Sequence, residues 1–140
     1  GLTTENLEKA ILTMRNTVDE AGNLIYSKPN KLVVPSALEY QARTILHSTQ
    51  LPGTNNNDIN VIKGALDLVV LDYIGATNGG SDTAWFIMDD NIAELNFFWR
   101  IKPEFKSDDD FDTFVAKYRG YMRFSYGVSD WRGIVGSKGV

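Results

Sequence analysis

Several stretches of this 140-residue chain carry residue types that could do chemistry. Asp89 and Asp90 follow directly on an apolar run, Thr83–Met88 (TAWFIM), where the acid or base of a small hydrolase could sit. Neighbours on a strand project to opposite faces, however, so the two make a poor catalytic pair. Ser107-Asp108-Asp109-Asp110-Phe111-Asp112 has carboxylates enough for calcium, but it lacks the central Gly and closing Glu of the calcium loop and reads as a solvated acidic segment. His47 is the single histidine, with no second His for a metal. Gly75–Gly80 lacks the Gly-Lys-Ser/Thr ending of a phosphate loop, and Gly136-Ser137-Lys138-Gly139 has the wrong order; both read as turns. Pro35-Ser36 joins an apolar run, Leu32–Val34, to a helical pattern, a place where a phosphate or a nucleophile can be held. There Ser36-Ala37-Leu38-Glu39 spells a capping box, which would occupy the N–H groups a phosphate needs, so the place is expected to be a joint. Nothing assembles a nucleophile, a base and an oxyanion hole, and neither catalytic residues nor a cofactor is expected.

The composition is that of one globular domain, with 43% hydrophobic and 23% charged residues. The longest apolar runs, Leu68–Leu71 and Ala84–Met88, fall far short of the roughly 20 residues of a membrane helix. The absence of cysteine excludes disulfides, zinc thiolates and a cysteine nucleophile. A net charge of −4 argues against a general nucleic-acid binder. The charge is unevenly spread. Residues 82–112 hold nine acids against Arg100, Lys102 and Lys106, whereas 113–140 hold Lys117, Arg119, Arg123, Arg132 and Lys138 against Asp130 alone. Such opposite patches suit head-to-tail contact between copies, or simply face solvent or each other.

The elements that must carry these residues read as α+β. Leu7, Ala10, Ile11, Met14 and Val18 predict an amphipathic helix over 4–19, with Thr4 as N-cap and Gly22 in the left-handed turn after it. A strand over 32–34 leads into a second helix, to about Ser48, with Leu38, Ala42, Ile45 and Leu46 inward. A loop over 49–60 precedes strands expected at Val61–Ile62 and at 66–74, the latter buried on both faces. Thr83–Met88 reads as a strand, 92–102 fits either helix or strand and is taken as strand, and 103–112 reads as an acidic connection. From Phe114 to Val128 strict alternation sets an apolar or small face against a basic and polar one, a long half-exposed strand expected to bend near Gly120 or Gly127.

The closing run DTFVAKYRGYMRFSYGVSDWRGIVGSKG resembles the end of tailed-phage major capsid proteins: an acidic turn, Phe-Val, a long Arg-bearing strand, an aromatic/Gly bend and a short last strand. ENLEKAILTMRNTVDEAGNLI, PNKLVVPSALEYQARTILHS, NNNDIN and SDTAWFIMDD are similar, in the same order, to segments of Mu-like prophage head subunits. The resemblance implies the tailed-phage capsid fold, with 31–111 as part of the axial domain and 1–30 plus 112–140 as part of the peripheral domain. It implies a shell subunit that is no enzyme, sits in the virion capsid after assembly from the host cytoplasm, and meets other copies of itself and the portal and scaffold or protease proteins. Sequence-specific nucleic-acid binding and membrane contact are not implied. The family's N-terminal arm and extended loop have no counterpart before the first helix, so the chain is expected to be a C-terminal fragment. Trp131-Arg132-Gly133 departs from relatives with Pro-Ala there.

Under this reading the interface candidates are the acidic residues Asp108, Asp109, Asp110 and Asp112, and the basic strand face Lys117, Arg119 and Arg123. By residue type, Trp131 and Arg132 are candidate anchors. The alternatives are a solvated charged face and a core Trp131. For the whole chain they are a domesticated-prophage adaptor or binding module, and a small hydrolase using Asp89 or Asp90.

Overall fold

A computed structural model describes residues 1–51, 58–110 and 115–139, with the backbone alone at 109, 110 and 115. The architecture is α+β, and the chain divides into two compact units, Gly1–Glu94 with Asp130–Val140, and Leu95–Ser129. Axial and peripheral parts are positions in a shell, a separate matter from these two units.

The first unit is built on a four-stranded mixed sheet in the order β2-β1-β3-β6, with β1 at Lys31–Val34, β2 at Asp67–Val70, β3 at Trp85–Met88 and β6 at Ile134–Ser137. β1 runs parallel to β2 (Lys31↔Asp67 to Val34↔Val70) and antiparallel to β3 (Leu32↔Ile87), and β3 pairs antiparallel with β6 (Phe86↔Gly136). Gly136-Ser137 therefore belongs to a strand and not to a turn: the short last strand is continuous with the sheet. Helix α1 (Thr4–Arg15) packs against β6, and α2 (Glu39–His47) forms the crossover between the parallel strands and packs against β2. Leu7, Met14, Leu32, Val34, Leu46, Trp85 and Ile87 close a single core between them.

Local chemistry shifts several boundaries. Thr3, not Thr4, caps α1, its hydroxyl accepting from Asn6 N at 3.2 Å. α1 stops at Arg15 and leaves Val18 47% exposed, because the Asp19 carboxylate gathers Ala21 N (2.9 Å) and Asn23 N (2.8 Å) into a turn that competes with further helix. Gly22 takes the left-handed conformation in that turn, at φ +85°. The expected capping box is absent. Ser36–Leu38 winds as a single 3-10 turn without a side-chain cap, and Glu39 instead pairs with Arg43 one turn on, at 2.8 Å. The joint is real, but its chemistry is a salt bridge on the helix surface. Val61–Ile62 is a turn rather than a strand. Buried Asn60 explains it: its Nδ2 donates to Ile45 O (2.6 Å) and Ser48 O (3.1 Å), stopping α2, and its Oδ1 accepts from Ile62 N (3.1 Å). The strand expected over 66–74 is only four residues long. It lies half-buried on the sheet edge, and 72–74 winds into a 3-10 turn.

The second unit is a two-stranded antiparallel ribbon, β4 (Leu95–Asp110) with β5 (Val115–Val128). The acidic connection of the sequence reading is thus mostly strand. Pro103 is tolerated because it lies at an irregularity. The register passes from Trp99↔Phe124 to Ile101↔Arg123 and then to Glu104↔Tyr121, so β4 holds one extra residue at each step. The irregularities are on β4, at Arg100 and Lys102-Pro103, rather than at the glycines of β5.

Leu7→Ala, at a side chain with no exposure, should lower stability by about 3 kcal/mol in urea denaturation. Leu12→Ala, on the outer face of α1, should change it by less than about 0.5 kcal/mol.

Candidate self-association surfaces

Asp89, a candidate acid of the hydrolase alternative, is 1% exposed. One carboxylate oxygen accepts from Lys28 N (2.7 Å) and Ser27 Oγ (3.2 Å), the other from Asn91 N (3.0 Å) and Asn91 Nδ2 (3.1 Å). Burial pushes its pKa up, but the backbone N–H groups of Lys28 and Asn91 and the two side-chain donors outweigh burial and hold it below the usual carboxylate range. A carboxylate so committed is a poor proton carrier. Its backbone is tied as firmly, with Asp89 N donating to Gly133 O at 2.9 Å and Ala93 N to Asp89 O at 2.8 Å. Gly133 is required there, since a Cβ would lie 2.4 Å from Ala93 N. Asp90 is ion-paired with Lys31. Among the described residues no group of three or more His, Asp or Glu could hold a metal, and His47 is exposed at the end of α2. No described helix is long and apolar enough to cross a membrane.

The ribbon segregates its side chains by register. Leu95, Phe97 and Trp99 stand opposite Val128, Tyr126 and Phe124 on one face. Phe97 stacks on Phe124 at 5.2 Å between ring centroids, and Trp99 meets the two rings edge-on at 5.1 and 5.9 Å. The cluster is open, with Phe97 52% and Trp99 46% exposed. On the other face stand Arg123, Tyr121, Arg119 and Lys117, opposite Ile101, Glu104, Lys106 and Asp108. Each extra residue of β4 reverses the alternation, so the two together leave Glu104, Lys106 and Asp108 on this face, while the first turns Ile101 to it and the net shift of two brings Asp108 opposite Lys117. The acidic and basic candidates therefore meet within one chain, Asp108 opposite Lys117 and the Asp110 backbone opposite Val115, while Asp109 pairs with Ala116 on the first face. Asp112 lies outside the described residues. An open pocket of about 410 Å³ on the charged face is lined by Ile101, Glu104, Lys106, Arg119 and Tyr121.

Trp131 is not core: it is 70% exposed. Arg132 is engaged in its own chain, pairing with Asp130 (3.5 Å) and Glu20 (3.3 Å) and reaching over the Trp131 ring at 5.8 Å. The β4 aromatics are a surface that reasoning by charge passed over; the alternation Leu95, Phe97, Trp99 was its signal.

Residues 1–137 match the family of phage capsid proteins, and the chain belongs to that family. It is 37% identical over 73 residues to the major capsid protein of Escherichia phage Mu, a match covering 52% of this chain and 24% of that protein's length. The chain thus matches about a quarter of the relative. No solved structure matches it.

Asp89→Asn should lower stability at neutral pH by about 1–3 kcal/mol in urea denaturation, since an amide cannot accept from all four donors. Because the folded pKa is lowered, the stabilisation is complete above the unfolded-state value of about 3.9 and is lost as pH falls through the folded value, so the gap from wild type should close under acid.

Proposed function

We propose that this chain is part of the shell-forming subunit of a phage or prophage head, which self-associates into capsomers and an icosahedral shell around the genome. The observation that carries this is the ribbon. A two-stranded pair is marginal alone in water, yet strands of 16 and 14 residues here present an open aromatic face. Contact with further copies of the subunit would cover it. Membership of the capsid family supports the same reading, and with it the tailed-phage capsid fold, in which 31–111 contribute to the axial domain and 1–30 and 112–140 to the peripheral domain. Lateral contacts through Arg119 and Arg123, and through the exposed Trp131, take the place of catalysis. The portal and the scaffold or protease proteins of the head are the further partners, and the virion is the destination after synthesis in the bacterial host.

Electron microscopy of the protein that carries this chain, beside sedimentation velocity of the 140 residues, tests the reading. Closed shells or capsomer rings are expected from the former. A discrete small species under every assembly condition would overturn it. Arg119→Glu with Arg123→Glu should block assembly while leaving the circular dichroism spectrum unchanged, and normal shells from that pair would remove the electrostatic assignment.

A further inference from the structure

The charged face of the ribbon contains an unfavourable arrangement. Lys106 and Arg119 stand directly opposite each other in the register, and like charges so placed repel. The carboxylate beside them, Glu104, reaches Lys106 only at 4.0 Å, and that pair is largely exposed. Both cations line the open pocket with Ile101 and Tyr121, so the site has room, two positive charges and an apolar wall. It suits a carboxylate carried on a partly apolar surface. A nucleic-acid backbone suits it less, because Glu104 in the same pocket and Asp108 two residues further along the same face would repel successive phosphates.

The complementary surface lies in the other compact unit. Residues 64–94 contain six acids and no base. Asp89 is consumed internally and Asp90 by Lys31, which leaves Asp67, Asp72, Asp82 and Glu94 exposed. Asp67 and Asp72 bracket β2, the edge strand of the sheet, whose outer side carries no further strand among the described residues. Lys31 stands opposite Asp67 in the register, but its ammonium pairs with Asp90. Leu71 (39% exposed) and Tyr73 (81% exposed) add apolar surface beside these acids.

We propose that the Lys106/Arg119 pocket of one copy receives the acidic β2 edge, Asp67 to Tyr73, of a second copy. The proposal rests on the self-association reading and names which surfaces meet. The contact is heterologous, each copy offering its ribbon to one neighbour and its sheet edge to another, and such contacts form rings when the rotation between copies closes and open filaments when it does not.

Zero-length carbodiimide coupling on an equimolar mixture of light and ¹⁵N-labelled 140-residue chain tests it, with the products read by mass spectrometry. The expected product is a mixed-isotope amide joining Lys106 to Asp67 or Asp72, its yield falling about tenfold between low and high salt as the charges are screened. Lys106→Glu with Arg119→Glu, and separately Asp67→Lys with Asp72→Lys, should each abolish self-association in sedimentation velocity at low salt. The four changes together in one chain should restore it with the charges exchanged. A Lys106 that couples only within one isotopic chain, couples elsewhere or does not couple overturns the proposal, as does a fourfold variant without restored association. Duplex DNA binding lost with Arg119→Glu, without a mixed-isotope amide, would overturn it in favour of a genome contact. Each failure leaves the shell-subunit reading to its own test by microscopy.

Discussion

The first unit depends on one buried carboxylate. Asp89 sits at the end of β3, accepts from the segment that leads into β1 and from the turn that follows β3, and bonds by its backbone to Gly133 just before β6. Three of the four strands are therefore set by one residue's hydrogen bonds. The arrangement stands because every oxygen is satisfied; an unsatisfied buried carboxylate would cost more than the packing around it returns. It also marks where the chain leaves the unit and where it comes back, since Glu94 and Asp130 lie only a few residues from Ala93 and Gly133.

The ribbon obeys a different constraint. It keeps its strands together by ladder hydrogen bonds and by the Phe97–Trp99–Phe124 rings, and two extra residues on one strand shift the pairing so that Asp108 stands opposite Lys117. A sheet unit closed around Trp85, Leu32 and Ile87 and a ribbon with open aromatic and charged faces are thus held by different means, the one by a buried core, the other by its ladder and ring contacts with apolar surface left exposed.

The sequence by itself determined the α+β class, both helices and most of the inward face of each, Leu7, Ala10 and Met14 on the first and Ala42, Ile45 and Leu46 on the second, though not the exposure of Val18. β1, β3 and β5 were equally plain, because periods of 3.6 and 2 are written in the residue types and need no long-range information. It also carried the capsid resemblance, through the order of motifs that are individually weak.

Other features were decided by tertiary structure. Asn60 takes its meaning from the Ile45 and Ser48 carbonyls it meets, 15 and 12 residues away, and so turned an expected strand at Val61–Ile62 into a turn. The Asp89–Asp90 pair looked like chemistry because the Ser27 hydroxyl and the Lys28 N–H that engage Asp89, 62 and 61 residues distant, are invisible to local reading. The length of β4 and its passage through Pro103 were hidden for the same reason. Whether an acidic, proline-containing segment is loop or strand depends on whether a partner strand stands beside it with its register shifted to absorb the proline. Trp131 likewise carries no sequence mark of its exposure. Burial is a property of what surrounds a side chain, and only the folded chain supplies the surroundings.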